Sequence, residues 1–183
     1  MLIGLTGRAR AGKDTAADIL CKELRADKIS FAEPIKLGLS VMLGLGMEEF
    51  NDELKEKPIS RFGNKSPRYM LQTLGTEWGR ELIDKNLWTS LGMRRAKDRL
   101  VSRPRVNAVV LTDVRFDTEA IAIKKANGAI IEITRPIETG VLEHSSENGV
   151  SRQYIDASIC NDGTIEDLKR NLLAIAHDSA WWR

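Results

Sequence analysis

The chain opens on an apolar run, residues 1–6, that passes directly into Gly7-Arg8-Ala9-Arg10-Ala11-Gly12-Lys13-Asp14-Thr15. No other stretch constrains the fold as tightly. A GxxxxGK spacing, placed after a buried strand and before a helix, has the form of a phosphate-binding loop. Its glycines let the backbone turn so that successive N–H groups point inward. The helix that follows adds the partial positive charge of its first turn. Lys13 adds a full charge suited to the β- and γ-phosphates of a nucleoside triphosphate. A lysine at a helix start opposes the dipole unless an anion is bound there, so a chance glycine-rich turn leaves Lys13 unexplained. Arg10, Ala11, Gly12, Lys13, Asp14 and Thr15 are therefore the candidate triphosphate-binding residues. The usual pattern places Ser or Thr after the lysine as a Mg2+ ligand, whereas here Asp14 stands there and Thr15 follows. Asp14 can hold Mg2+ directly or through water, or it can be a plain helix-start acid. Thr15 suits contact with the α-phosphate.

The apolar spacing downstream predicts strands alternating with helices. Ala17, Leu20, Cys21 and Leu24 form the stripe of a helix over 13–25. Residues 28–32 read as a short strand, and Glu33-Pro34 as the start of a helix that ends in Gly44 and Gly46. Residues 47–67 are charged and broken by Pro58, Gly63 and Pro67, which predicts a mobile loop with at most a short helix. Ser66-Pro67 opens a helical run to about 84, and Asn86 caps another to about 102. Residues 106–111 are the clearest strand, 118–127 a helix ended by Gly128, and 129–134 a strand again. Residues 135–149 form a polar loop, 154–160 hold a short strand, and 164–177 a final amphipathic helix. This order predicts an α/β fold with a mainly parallel sheet.

Composition narrows the function. At 183 residues the chain suits one domain spanning 1–183. Its 28 Lys plus Arg against 26 Asp plus Glu leave a net charge of +2, too small a field to collect nucleic acid or an acidic membrane. No segment reads as a signal peptide or membrane span. Cys21 and Cys160 have neither the spacing of a metal site nor that of a disulfide framework. The expectation is a cytoplasmic protein acting on small molecules, with no membrane and no stable nucleic-acid partner. The cations Arg94, Arg95, Lys97, Arg99, Arg103 and Arg105 lack interleaved aromatics and read as a solvated helix face. Trp78 reads as packing. Trp181-Trp182 fits either a packed tail or an oligomer contact.

A phosphate loop on so short a chain favours a small kinase over a coupled motor. A hydroxyl acceptor needs a general base, whereas a phosphate acceptor mainly needs cations to hold it. Val109-Val110-Leu111-Thr112-Asp113 has the form of an apolar strand ending in an acid near Mg2+. Lys36 and Arg115 follow strand ends, where ligands of an open parallel sheet collect, and Arg68 starts a helix. Together these cations favour a phosphate acceptor.

At this point the chain resembles the bacteriophage-type deoxynucleoside monophosphate kinases. The resemblance rests on the Leu5-Thr6-Gly7 to Lys13-Asp14-Thr15 stretch and on Phe31-Ala32-Glu33-Pro34-Ile35-Lys36. It continues through Pro67-Arg68-Tyr69-Met70-Leu71-Gln72-Thr73-Leu74-Gly75-Thr76-Glu77 and Leu87-Trp88. It ends with Thr112-Asp113-Val114-Arg115-Phe116-Asp117-Thr118-Glu119, Thr134-Arg135-Pro136 and Asn161-Asp162-Gly163-Thr164. The Lys-Asp-Thr form of the loop is usual in that family. The resemblance implies a P-loop nucleoside monophosphate kinase fold with a five-stranded parallel sheet flanked by helices. It also implies an acceptor-binding region over about 33–105 and a lid over about 135–152. It implies transfer of the ATP γ-phosphoryl to a dNMP with Mg2+, giving dNDP and ADP. Lys36, Arg68 and Arg115 would hold the acceptor phosphate. Gln72, Gly75, Thr76, Trp88 and Glu119 would line the deoxynucleoside pocket. Asp113 would lie near the metal or sugar, which with Asp14 makes two candidate metal ligands. Arg135 would begin the lid and reach the ATP phosphates or stack on adenine. Lys13, Arg68, Arg115 and Arg135 are thus the candidate catalytic cations. A homodimer is a family-level expectation. Two rivals stay open: a kinase with a hydroxyl acceptor, similar to dephospho-coenzyme A kinase with Asp113 as base, and a non-catalytic nucleotide-binding module.

Overall fold

Buried strands of a parallel sheet are apolar along their whole length, because helices cover both faces. Two segments meet that condition fully: β1 (Leu2–Thr6) and β3 (Ala108–Leu111), every residue of which is buried. The structure is a computed structural model that describes residues 1–136 and 149–177. Around those strands it places β2 (Ala26–Ile29), β4 (Ala129–Thr134) and β5 (Ala157–Cys160). The sheet order is β2-β3-β1-β4-β5, and every pairing is parallel. This is the expected α/β fold with a five-stranded parallel sheet.

Parallel neighbours require crossovers, and helices supply them. The helices are α1 (Lys13–Leu24), α2 (Glu33–Leu43), α3 (Pro67–Gln72), α4 (Leu87–Ser102), α5 (Asp117–Lys125) and α6 (Ile165–His177). The chain after β1 heads for β2 on one side, while the chain after β3 heads for β4 on the other. Adjacent strands whose connections diverge leave a crevice outside their carboxyl ends. The phosphate loop and Asp113 both stand at that edge by connectivity.

The ends of the elements follow local chemistry. Arg25 closes α1 in the left-handed conformation, so β2 begins at Ala26, two residues earlier than expected. Gly44 closes α2 at φ 62°, as its position predicts. Ser66 Oγ accepts the Tyr69 N–H at 3.2 Å and Pro67 fills the first turn of α3. Asn127, at φ 56°, completes the turn that ends α5 before Gly128. Thr164 and Asp167 bond reciprocally at the start of α6, which holds the Asp167 carboxyl below the usual range through the Thr164 hydroxyl and N–H.

Two compact units result. One joins Met1–Ser30 to the chain from Gly92 onward, and the other is Phe31–Leu91. The first is built on the sheet, with Ile3, Leu5, Leu20, Val110, Ile131, Ile133, Leu168 and Leu172 in its core. Cys21 packs against this cluster, and burial pushes its thiol up. Asp27 on β2 pairs with Arg99 and Arg103, so part of the α4 cation row is internal ion pairing. The second unit packs Ile35, Leu39, Leu45, Phe50 and Trp88. Within the loop expected over 47–67, short 3-10 turns form at Met47–Phe50 and Ser60–Phe62. A bridge from Ile59 to Lys65 closes the second turn.

Helix α3 continues as a wider π-helix over Thr73–Ile83, with the Asp84 N–H reaching the Gly79 carbonyl at 3.0 Å. The sequence pattern predicts a plain helix there. The widening accompanies a packing need: Gly75 and Gly79 lie one turn apart, and the Trp88 indole sits on them. Trp88 Nε1 donates to the Gly75 carbonyl at 2.7 Å, and a Cβ on Gly79 would lie 2.4 Å from that nitrogen. Trp78 lies 6.3 Å from Trp88 but remains 44% exposed, so it is only half a packing residue. No helix among the described residues is long and apolar enough to cross a membrane. Trp181-Trp182 falls outside the described residues.

Leu172 is fully buried in the sheet unit. Truncating it leaves a cavity, so Leu172→Ala should lower the unfolding free energy by about 2–5 kcal/mol. Urea denaturation measures this, and an unchanged midpoint would contradict the packing described.

Candidate functional site

Three residues, Gly7, Ala11 and Gly12, shape the phosphate loop. Gly7 has φ 132°, and a Cβ there would lie 2.1 Å from the Ile133 carbonyl oxygen of β4. Only a glycine allows the chain leaving β1 to lie this close to the neighbouring strand. Ala11, at 1% exposure, anchors the middle of the loop in the core. Gly12 then starts α1 at φ 100° and makes no side-chain capping bond. The first-turn N–H groups of α1 are thus not capped by a Ser, Thr, Asp or Asn side chain, which suits an anion.

Lys13 Nζ donates to the Gly7 and Arg8 carbonyls, each at 2.7 Å. The cation is therefore folded over its own loop. Asp14 and Thr15 are exposed on the first turn of α1, and Arg10 is exposed with φ 63°. A shallow pocket at this edge is lined by Thr6, Gly7, Ala9, Lys13, Val114, Arg115 and Gly149.

The segment after β3 closes the other side of that pocket. The Val114 N–H donates to the Leu5 carbonyl at 3.1 Å, which carries the chain back against β1. Asp113 Oδ2 accepts from the Ser30 hydroxyl at 2.7 Å. Arg115 is exposed, and its backbone is held by Glu119. Glu119 is 2% exposed and its Oε2 accepts the N–H groups of Arg115 and Phe116 at 2.8 and 3.2 Å. This is the capping arrangement of α5. A buried carboxylate so engaged fixes the turn that presents the Arg115 side chain. Arg135 follows β4 and is exposed at the same edge of the sheet. Most of the expected lid, residues 137–148, lies outside the described residues.

In the second unit Lys36 is half-buried in α2, on the turn after Ile35. The Arg68 N–H donates to the Lys55 carbonyl at 2.8 Å, and its guanidinium stands 3.5 Å from Glu56. Gln72 ends α3, and Thr76 is half-buried in the π-helix. Gly75 and Trp88 are buried and bonded to each other. The structure places Trp88 in the core of this unit.

Sequence reasoning did not single out the Ser30 hydroxyl on Asp113 or the cap formed by Glu119. It named Asn161 among the matching stretches but gave it no contact, whereas its Nδ2 donates to the Ala11 carbonyl at 2.9 Å. Glu119, three residues after Phe116 at a helix start, carries a capping signal legible in sequence. The other two contacts join residues far apart in the chain and carry none.

Hard oxygen donors suit Mg2+, and Asp14 and Asp113 supply them from the α1 start and the β3 end. No group of three or more His, Cys, Asp or Glu converges among the described residues. The donor set therefore fits an ion held largely by phosphate and water, as Mg2+ commonly is.

Comparison with known proteins agrees with this geometry. A profile described as deoxynucleotide monophosphate kinase matches residues 45–172. A protein of Acanthamoeba polyphaga mimivirus, named provisionally as a deoxynucleotide monophosphate kinase, is 33% identical over 98% of both chains. The deoxynucleoside-5'-monophosphate kinase of Escherichia phage T5 is 26% identical over 92% of this chain and 93% of its own. Shikimate kinase from Aquifex aeolicus is similar in fold, with a TM-score of 0.51, 16% identity and 98% of each chain covered.

Gly7→Ala should force the loop off β4 and abolish triphosphate binding. Equilibrium binding of a fluorescent triphosphate nucleotide checks this, and native affinity in the variant would refute the close approach.

Proposed function

The chain belongs to the deoxynucleotide monophosphate kinase family, and on that premise we propose that it transfers the ATP γ-phosphoryl to a dNMP, giving dNDP and ADP. The observation that carries the reading is the phosphate loop: an uncapped helix start at Gly12, a lysine beside it, and Asp113 and Arg115 on the adjoining strand end.

Gly12, Lys13, Asp14 and Thr15 bind the triphosphate, with Arg10 and Ala11 shaping the loop. Lys13 leaves the Gly7 and Arg8 carbonyls for the β- and γ-phosphates when these arrive. Asp14 and Asp113 are the residues that would hold Mg2+, and the ion would supply further neutralisation of the transferring group. Arg115 is presented by its Glu119-capped turn as a cation for the acceptor phosphate; Lys36 and Arg68 are the acceptor-phosphate cations of the second unit. Arg135 adds charge to the ATP phosphates. Gln72, Gly75 and Thr76 belong to the deoxynucleoside pocket, with Trp88 supporting Gly75 from behind. The acceptor-binding region is 33–105.

Phosphoryl transfer asks little covalent chemistry of the protein. Most of the barrier is met by positioning and by charge stabilisation between two repelling anions. A dNMP acceptor arrives already ionised, so no general base is required. That matches a site described mainly by cations and N–H donors.

An ADP-release assay across dNMPs, NMPs and small alcohols tests the reading. ADP release stimulated by dNMPs is expected. Stimulation by an alcohol alone would identify a hydroxyl kinase, and triphosphate binding without acceptor-dependent turnover would identify a binding module. Lys13→Ala should lower kcat by about a hundred- to a thousandfold. Arg68→Ala should raise the dNMP KM by about ten- to a hundredfold and leave the ATP KM near its native value. Native dNMP kinetics in Arg68→Ala would remove Arg68 from the acceptor site.

A further inference from the structure

We propose that Asn161 is a positioning residue for the triphosphate: its side chain holds the Ala11–Gly12 peptide so that the Gly12 N–H faces the phosphates. The inference deepens the kinase reading and rests on its assignment of the loop to ATP.

Asn161 is the first residue beyond β5, and its own N–H donates to the Thr134 carbonyl at 2.7 Å. That bond extends the β4–β5 ladder by one residue and fixes where the side chain starts. Nδ2 then reaches across to the Ala11 carbonyl at 2.9 Å, spanning 150 residues of sequence. A carbonyl can only accept, so the amide nitrogen must face it. The Ala11 side chain is 1% exposed and held in the core, so the residue is fixed from both sides.

A trans peptide places its C=O and N–H on opposite sides of one plane. Pinning the Ala11 oxygen therefore aims the Gly12 N–H the other way. Gly12 stands at φ 100°, a conformation with no intrinsic preference that would hold it once the contact is lost. The same contact gives Gly12 a second reason to be glycine: a Cβ would lie 2.3 Å from Asn161 Nδ2. Gly12 and Asn161 are thus fitted to each other, and the loop is aimed from the far edge of the sheet. After Asn161, the reciprocal Thr164–Asp167 bonds start α6 and hold the other end of its turn.

The test compares Asn161→Ala, which deletes the donor, with Asn161→Asp, which keeps the shape but sets a carboxylate oxygen against the carbonyl. Calorimetric titration with ATP, without acceptor, reads the effect directly. Asn161→Ala should weaken ATP binding by about five- to tenfold, the worth of one neutral hydrogen bond. Asn161→Asp should weaken it further despite its better fit, because an acceptor then opposes an acceptor. The dNMP KM should stay near native in Asn161→Ala while the ATP KM rises. Equal rises for both substrates, native ATP affinity in either variant, or unfolding of both variants by thermal melting would overturn the proposal and assign Asn161 to the fold alone. Failure of the kinase reading looks different: the native chain would bind ATP yet show no dNMP-stimulated ADP release.

Discussion

The close approach of Gly7 to the Ile133 carbonyl governs the sheet unit. It lets the chain leave β1 pressed against β4, with the space of a Cβ given up. From there Ala11 enters the core and Gly12 opens α1 without a side-chain cap. A helix start so exposed is costly unless an anion meets it, since its first N–H groups lack intrahelical partners. Lys13 Nζ, itself a donor, does not meet those N–H groups; it donates to the Gly7 and Arg8 carbonyls instead. The ammonium that steadies the resting loop is the one proposed to meet the phosphates.

Around this loop the protein uses buried and half-buried polar groups as fasteners. Glu119 ties the Arg115 turn, Ser30 engages Asp113, and Asn161 engages Ala11. Each bond connects a different strand end to the same edge of the sheet. Buried polar groups are costly when unpaired and specific when paired. They suit a sheet edge where the exposed side chains of Arg115 and Arg135 start from a fixed backbone.

The second unit solves a different problem. Its core is small, and Trp88 supplies much of the apolar volume. The indole requires a glycine at 79 and bonds the Gly75 carbonyl, and the helix bearing both widens into a π-helix. Strand-helix alternation, the α2 boundaries, the α3 start and the glycine that ends α2 were legible from spacing and turn chemistry. The π-helix was not, because an apolar stripe repeats at nearly the same interval in both kinds of helix. The short 3-10 turns within 47–67 were hidden for a related reason: charge and Pro predict irregularity without giving its shape. Trp88 shows the limit for single residues: only the resemblance gave it a place in the deoxynucleoside pocket, and the structure buries it in the core of the second unit.

The sequence by itself determined the glycine-lysine loop after β1 and the order of strands and helices. These follow from local rules: glycine freedom, apolar period and helix capping all act within a few residues. Tertiary structure alone decided what holds the loop in shape. Asn161 meets Ala11, and Ile133 meets Gly7, only because sheet order and register bring β1, β4 and β5 side by side. No local rule contains that information. It arises when separate strands share one hydrogen-bond ladder and one core.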